Sequence, residues 1–410
     1  MNIQTSLNQS NIVLLNNILK HAYKTVPYYS GIKEYNSVKN IKDYENIPKL
    51  NKVTIQNHPN HFLSNSFTKE NLLHKRTSGS TGLLLDVFWD NEGYMKSLIP
   101  LWKQRKKHGD ILPRDKLCSF HSHVQKQSNF SFPDIIYTNN EISFNRLFFS
   151  ERNMRKYHEA MMEFQPVWFD ASPTSMYIFS KFIYDNNFEI PKTLKLIELS
   201  GEYLIPSYKS FVEEVFEVKV FNQYGCREAN AIAYECKCGH LHCFDNTIIE
   251  ILNPDQLGVG DIYITVLHNY AMPFIRYNIG DRGRLITKHQ CECGDTNPIL
   301  EVIISRQTDY ISVDKNHKIY SSAFLEIVEL INYKYNNCIR QFQVRQISNY
   351  EYKVLLSTSD VSEKIKSYLE ELFVEKTIEF GLYNIKWEFN YVNTINMTQN
   401  GKFKYFVPNK

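Results

Sequence analysis

Long apolar runs are missing from this chain. The richest one near the start, Ile12 to Leu15, is cut short by Asn16 and Asn17, so neither a secretory signal nor a membrane span is expected, and the protein reads as cytoplasmic. A dominant charge is missing too. The 47 Lys and Arg oppose 44 Asp and Glu and leave a net +3, which implies no nucleic-acid partner. Eight cysteines in 410 residues are sparse for a disulfide scaffold. No Gly-Lys-Ser/Thr follows the Gly- and hydroxyl-rich turn Thr77–Gly82, which disfavours a P-loop ATPase. No internal repeat or low-complexity segment stands out.

What is present begins with that turn. In KRTSGSTGLLLDVFWD, Lys75 to Asp90, glycines let the backbone approach an anion, while consecutive N–H groups and hydroxyls donate to phosphate oxygens. The apolar residues after it, Leu83 to Leu85 and Val87 to Trp89, read as a buried strand. A flexible Gly/Ser turn is the alternative for this stretch taken alone.

At 410 residues with 43% hydrophobic content the chain can bury the cores of two domains. Apolar spacing predicts helices over Ser6–Tyr23, Asn91–Lys107, Met154–Phe164, Pro173–Asn186 and Ser207–Phe216. Strands are expected at Lys116–His123, Val167–Phe169, Leu194–Leu199 and Lys219–Phe221. This alternation implies right-handed crossovers and a largely parallel sheet, with ligands beyond the carboxyl ends of its strands. On Lys116–His123, His121 and His123 share one side, either lining a pocket or serving as hydrogen-bonded structural groups. From Thr247 the pattern turns to strands without long helices, at Thr247–Leu252, Asp261–Leu267 and Gly283–Thr287, as in a small β subdomain or barrel. After Ser305–Asp309 comes a final domain with helices Ser322–Ile331 and Val361–Lys376 and strands Gln341–Gln346, Tyr350–Ser357 and Ile385–Tyr391.

Five cysteines, Cys236, Cys238, Cys243, Cys291 and Cys293, crowd into one region beside His240 and His242. In a reducing compartment such clustering favours metal ligation over disulfides. Cys118, Cys226 and Cys338 read as ordinary small residues.

The turn Thr77–Gly82, Ser200-Gly-Glu202, Tyr224-Gly-Cys-Arg-Glu228, Arg276-Tyr-Asn-Ile-Gly-Asp281, Arg306 and Gly401-Lys402 come in an order that resembles adenylate-forming enzymes. Within that superfamily of acyl- and aryl-CoA ligases and adenylation domains, the likeness is to the phenylacetate-CoA ligase-like branch, including members linked to capsular polysaccharide synthesis. It covers nearly the whole chain. It implies an α/β fold: a large domain, 1–305, with mostly parallel sheets plus a zinc-binding β subdomain, and a small mobile α+β lid, 306–410.

The same resemblance assigns roles. Thr77, Ser78, Gly79, Ser80, Thr81 and Gly82 would hold the β and γ phosphates of ATP, Gly201 and Glu202 would shape the adenine slot, and Tyr224, followed by Gly225, would lie against the base. Glu228 would bind Mg2+, and Asp281 with Arg306 would hold the ribose. Lys402 would neutralise the reacting carboxylate and the α-phosphate. Cys236, His242, Cys291 and Cys293 would bind structural Zn2+, with Cys238 or His240 as alternative ligands.

Taken one at a time, Asp281 equally suits a turn, Tyr224 the core, and Lys402 a tail that also holds Lys404 and Lys410. The expected reaction is ATP-dependent activation of a small carboxylic acid to acyl-AMP with release of pyrophosphate, then transfer to CoA, a carrier-protein thiol or an amine. The chain departs from the family at Ser305-Arg306, where Gly-Arg is usual, and at Asp314–Ile319, where a glycine-containing CoA loop is usual. A non-catalytic nucleotide-binding scaffold is the alternative function; a zinc-ribbon nucleic-acid module is disfavoured by the balanced charge.

Overall fold

Helices in this chain begin where the sequence offers a cap. A computed structural model describes residues 4–31, 37–77, 85–121, 134–146, 149–306, 310–312, 318–320, 322–335, 338–358, 361–379, 382–396 and 404–409. Asn8 accepts from the backbone of Ser10 and Asn11 while Asn11 returns the bond, a capping box that starts helix Gln9–Thr25 three residues later than apolar spacing alone suggests. Asp90 accepts from Gly93 N at 2.7 Å and opens helix Asn91–Gly109, which stops at left-handed Asp110. Among the described residues no helix is long and apolar enough to cross a membrane.

The chain divides into two compact units. The first takes in Met1–Pro113 and Phe221–Ile303, the second Arg114–Val220 and Ile304–Lys410.

In the first unit, strands Thr247–Leu252, Gly260–Val266 and Tyr277–Ile286 form an antiparallel series. It shares one sheet with Ile299–Arg306, Leu241–Cys243 and Ala233–Glu235 and does not stand apart as a barrel. The two-residue strand Gln4–Thr5 pairs with Thr247–Leu252 at its edge. Leu15, Leu19, Trp89, Ile248, Ile264 and Phe274 belong to the core under it. At its centre Arg276 and Glu250 form a fully buried ion pair, with Nη2 to Oε1 at 2.8 Å and Nε to Oε2 at 3.1 Å. Arg276 Nη1 also donates to the carbonyls of Glu45 and Ile47. Leu50 then pairs with the same strand, its N–H donating to Arg276 O and its carbonyl accepting from Asn278 N, both at 2.9 Å. The segment before the Thr77 turn is thereby pinned to the strand that carries Asp281.

The second unit holds parallel strands Leu117–His121, Glu141–Asn145, Trp168–Ala171 and Leu196–Ser200, with Ser119 opposite Asp170 and Asp170 opposite Glu198. Period-two alternation sends Cys118, Ile142, Phe144, Phe169, Ile197 and Leu199 into one apolar core with helices Glu151–Phe164, Pro173–Asp185 and Pro206–Phe216. The later part of this unit is a four-stranded sheet whose central pair is Ile339–Gln346 and Glu351–Thr358, flanked by Lys386–Tyr391 and Phe406–Val407. Helices Ser322–Lys334 and Glu363–Glu379 contribute Phe324 and Phe373 to the core of that sheet. Ser207 Oγ donates to Glu329 Oε1 at 2.7 Å, Tyr208 OH donates to Arg340 O at 2.8 Å, and Tyr177 stacks on Tyr208 with centroids 3.8 Å apart.

Candidate active site

The Gly- and hydroxyl-rich turn joins strands Leu73–Arg76 and Asp86–Trp89, which pair antiparallel with Arg76 opposite Asp86. Its neck is closed from both sides: Thr77 N donates to Leu85 O and Leu85 N donates to Thr77 Oγ1, each at 2.9 Å. Lys52 Nζ donates to the same hydroxyl at 3.2 Å. Ser78, Gly79, Ser80, Thr81 and Gly82 lie outside the described residues.

Tyr224 ends strand Lys219–Tyr224, which runs on past the expected end at Phe221 and so takes Tyr224 into the sheet. Its hydroxyl donates to Asp281 Oδ2 at 2.8 Å. Asp281 is equally a strand residue, within Tyr277–Ile286, and not part of a turn. Just before it, Gly280 takes φ +86° and donates its N–H to Asn278 Oδ1, a left-handed kink in mid-strand that suits glycine.

After Tyr224 the chain turns tightly. A Cβ on Gly225 would meet Asn230 O at 1.9 Å, so no other residue fits without moving backbone. This turn delivers Glu228, which is buried and accepts from Tyr277 OH at 3.1 Å. Arg227 O accepts from Trp89 Nε1 at 3.1 Å, tying the turn to the hairpin that carries Thr77. Beside Glu228, burial first and then the carboxylate's charge push the Cys226 thiol well above its ordinary range. Thr77, Lys52, Tyr224, Gly225, Glu228 and Asp281 thus belong to one unit.

Gly201 and Glu202 follow strand Leu196–Ser200 in the second unit. Gly201 has φ +81° with open space where a side chain would begin. Glu202 Oε2 accepts from Thr174 N at 3.2 Å in the first turn of helix Pro173–Asp185, where an anion is favoured. Tyr405 is a residue that sequence reasoning missed. Burial raises its phenol, and the Glu202 carboxylate raises it further, so the chain just past 397–403 passes close to Glu202. An aromatic shortly after a lysine carries no signal of this kind in the sequence.

Arg306 ends strand Ile299–Arg306 and only its backbone is described. Lys402, Asp309, the stretch 313–317 and His123 lie outside the described residues. His121 is buried at the end of its strand.

The cysteine cluster is built by two Cys-x-Cys-Gly turns. In each the glycine takes positive φ, +82° at Gly239 and +80° at Gly294, and donates to the carbonyl three residues back. Ligand atoms of Cys236, His242, Cys291 and Cys293 all lie within 4.8 Å of one another. Cys236 and Cys291 sulfurs are 3.7 Å apart, and Cys293 Sγ is 3.4 Å from His242 Nε2. A tetrahedron with Zn–S bonds of about 2.3 Å has edges of about 3.8 Å, so the set fits that ion. His242 Nδ1 lies 3.0 Å from Asn297 O, an orientation that turns Nε2 toward the thiols. His240 Nδ1 lies 3.5 Å from Cys291 Sγ, on the rim. All eight cysteines are free.

No protein-family model and no curated protein sequence matches the chain. Solved structures do. A 2-hydroxyisobutyryl-CoA ligase in the postadenylation state, in complex with R3-HIB-AMP, superposes with TM-score 0.72 at 15% identity, covering 98% of this chain and 89% of that one. The anthranilate CoA ligase AuaEII in complex with anthranoyl-AMP gives 0.56 at 13% identity, covering 83% and 66%. The amide bond synthetase McbA from Marinactinospora thermotolerans gives 0.54 at 14% identity, covering 81% and 67%. The chain therefore has the mixed α/β fold of adenylate-forming ligases.

Proposed function

We propose that this protein is an adenylate-forming ligase that converts a small carboxylic acid and ATP to acyl-AMP and pyrophosphate, then passes the acyl group to a thiol or an amine. The observation that carries this reading is the Tyr224–Asp281 pair beside the Glu228 turn, within a chain that follows the ligase fold over nearly its whole length.

In the first half-reaction a carboxylate oxygen attacks the α-phosphorus, the bond to the bridging oxygen breaks, and its electron pair leaves with pyrophosphate. The Thr77–Gly82 turn holds the polyphosphate. Tyr224, held by its bond to Asp281, lies against adenine, with Gly201 and Glu202 shaping the slot. Asp281 and Arg306 take the ribose hydroxyls. Lys402, on a lid formed by 306–410, brings its ammonium to the α-phosphate and the incoming carboxylate. The single buried carboxylate of Glu228 suits Mg2+ held otherwise by phosphate oxygens, and that ion would offset phosphate charge. Structural Zn2+ would be held by Cys236, His242, Cys291 and Cys293.

In the second half-reaction a thiol or amine attacks the acyl carbon and AMP departs with the bonding pair. CoA, a carrier protein and an amine all stay in view as acceptors, because Asp314–Ile319 differs from the glycine-containing CoA loop of the phenylacetate-CoA ligase-like branch. Carboxylate-dependent ATP–pyrophosphate exchange across a library of acids tests the reading. Exchange with at least one acid is expected; none with any acid would leave a nucleotide-binding scaffold.

A further inference from the structure

The two Cys-x-Cys-Gly turns match position for position. Cys236, Cys238, Gly239 and His240 of the first correspond to Cys291, Cys293, Gly294 and Asp295 of the second. In both, the glycine amide bonds back to the carbonyl of the leading cysteine, at 2.9 Å for Cys236 and 3.0 Å for Cys291. The leading sulfur then accepts from the amide two residues on. Cys238 N lies 3.4 Å from Cys236 Sγ, and Cys293 N faces Cys291 Sγ in the same way.

One residue past the glycine the turns part. The His240 amide also faces Cys236 Sγ, so that sulfur receives N–H groups from both Cys238 and His240. Its counterpart, Asp295 N, lies 3.4 Å from Cys293 Sγ. This accords with the ligand set, in which Cys293 is a member and Cys238 is not. The amide that would have been the second for Cys291 is spent on Cys293.

The His240 ring stands in its place. Nδ1 lies 3.5 Å from Cys291 Sγ, while the carbonyl of the same residue accepts from Cys236 N at 2.9 Å. A thiolate that binds a metal carries no hydrogen, so the ring nitrogen facing it must supply one. The Cys238 thiol also faces Cys291, but S–H is a weak donor. Lys237, Gln290 and Glu292 complete an open hollow of about 550 Å³ around Cys238, His240 and Cys291. Cys291 is thus a ligand within reach of solvent, and its N–H partner has to compete with water.

We propose that His240 is a positioning residue of the metal site and not a ligand: its ring donates to the Cys291 thiolate and ties the first turn to the second. Three thiolates on one Zn2+ leave excess negative charge, and an N–H aimed at each sulfur draws part of it off. His240 supplies from a side chain what backbone supplies elsewhere in the site. This inference rests on the four-ligand zinc reading above.

The test uses the full chain loaded with zinc and, separately, with cobalt. The thiolate-to-cobalt charge-transfer band reports electron density on sulfur, and the d–d bands report the ligand geometry. His240→Ala, His240→Gln and Cys291→Ser are compared with the wild type, with melting curves as folding controls. His240→Ala should keep about one metal per chain and the wild-type d–d bands. It should move the charge-transfer band to lower energy and weaken zinc about tenfold in chelator competition, the lower end for a lost partner of a metal ligand. His240→Gln returns an N–H and should recover part of both changes. Cys291→Ser should alter the d–d bands themselves, because a ligand is lost. If His240→Ala alters them as Cys291→Ser does, His240 is a ligand and the role is overturned; an unmoved charge-transfer band with wild-type zinc affinity would overturn it as well. A wild-type chain that binds neither zinc nor cobalt would refute the zinc reading, and this inference with it.

Discussion

Replacing Arg276 by Met removes the guanidinium at the centre of the first unit and leaves Glu250, which is 0% exposed, as an unpaired buried carboxylate. Breaking one partner of such a pair costs about 3–5 kcal/mol. The carbonyls of Glu45 and Ile47 lose their donor as well, which adds about 1–3 kcal/mol for each one left dry. Some of this is recovered if Glu250 takes up a proton or water enters, so the expected loss is roughly 4–6 kcal/mol, a large share of a total stability of about 5–15. For a unit of this size that corresponds to a fall of roughly 8–24 °C in melting temperature. The assay is thermal and denaturant unfolding of the wild type, Arg276→Met, Glu250→Leu and the double variant. The double variant should regain more than half of the single-variant loss, because no lone charge remains. A loss below about 1 kcal/mol in Arg276→Met, or strictly additive single losses, would refute the claim that this motif arginine is a structural pin.

Three further outcomes follow from the same structure. Purified protein should carry about one zinc per chain; Cys291→Ser should lower that content, and a chelator should lower the melting temperature, since ligand binding adds to folding free energy. Metal content far below one zinc per chain would defeat the assignment. His108, which packs against Phe221 with centroids 4.3 Å apart, has its pKa lowered from 6.5 to about 4 by burial first and the charge of Lys107 second. The unfolded chain then takes up a proton before the folded one does, so stability should fall as pH drops from about 6.5 toward about 4 and level off below. His108→Leu should flatten that slope in a pH series of melting curves; an unchanged slope would assign it to other groups. Lys402→Ala should abolish pyrophosphate exchange while ATP still binds, and near-normal exchange by that variant would remove Lys402 from the chemistry.

Much of the architecture was legible because helices Asn91–Gly109, Pro173–Asp185 and Pro206–Phe216 combine apolar spacing with a cap or a proline at their starts, and strand Thr247–Leu252 is a short, mostly apolar run. Strand ends were harder. Tyr224 and Asp281 are polar or amphipathic residues beside glycines, and local propensity reads such positions as loop, whereas strand pairing, of Tyr224 with Ala233 and of the Asp281 strand with Gly260–Val266, holds them in the sheet. The parallel character expected of the alternating segments belongs to Leu117–His121, Glu141–Asn145, Trp168–Ala171 and Leu196–Ser200. Hairpins make the later strands antiparallel, a difference that apolar alternation does not encode.

Within the candidate site the limit of sequence is sharper, because spacing cannot separate a residue that touches a ligand from one that holds the fold. Arg276 and Asp281 stand five positions apart in one motif, and by residue type the arginine is the more obvious phosphate ligand. Burial tells the two apart: Arg276 is 2% exposed and spends its donors on Glu250, Glu45 and Ile47, while Asp281 is only partly buried and meets Tyr224. Lys52 shows the same limit from the other side. Nothing in Asn51-Lys52-Val53 marks a contact with Thr77, yet the backbone beside Arg276 pairs with Leu50 and so brings the ammonium two residues later to the Thr77 hydroxyl. The buried pair and Thr77 are thus linked through backbone. Loosening the pin should release Leu50 before it disturbs the Tyr224 strand, so in a mild variant such as Arg276→Lys the Leu50 amide, bonded to Arg276 O, should exchange its hydrogen faster while the Ile232 amide, bonded to Tyr224 O, keeps its wild-type rate. Equal acceleration of both would place the effect on the whole unit and break this link.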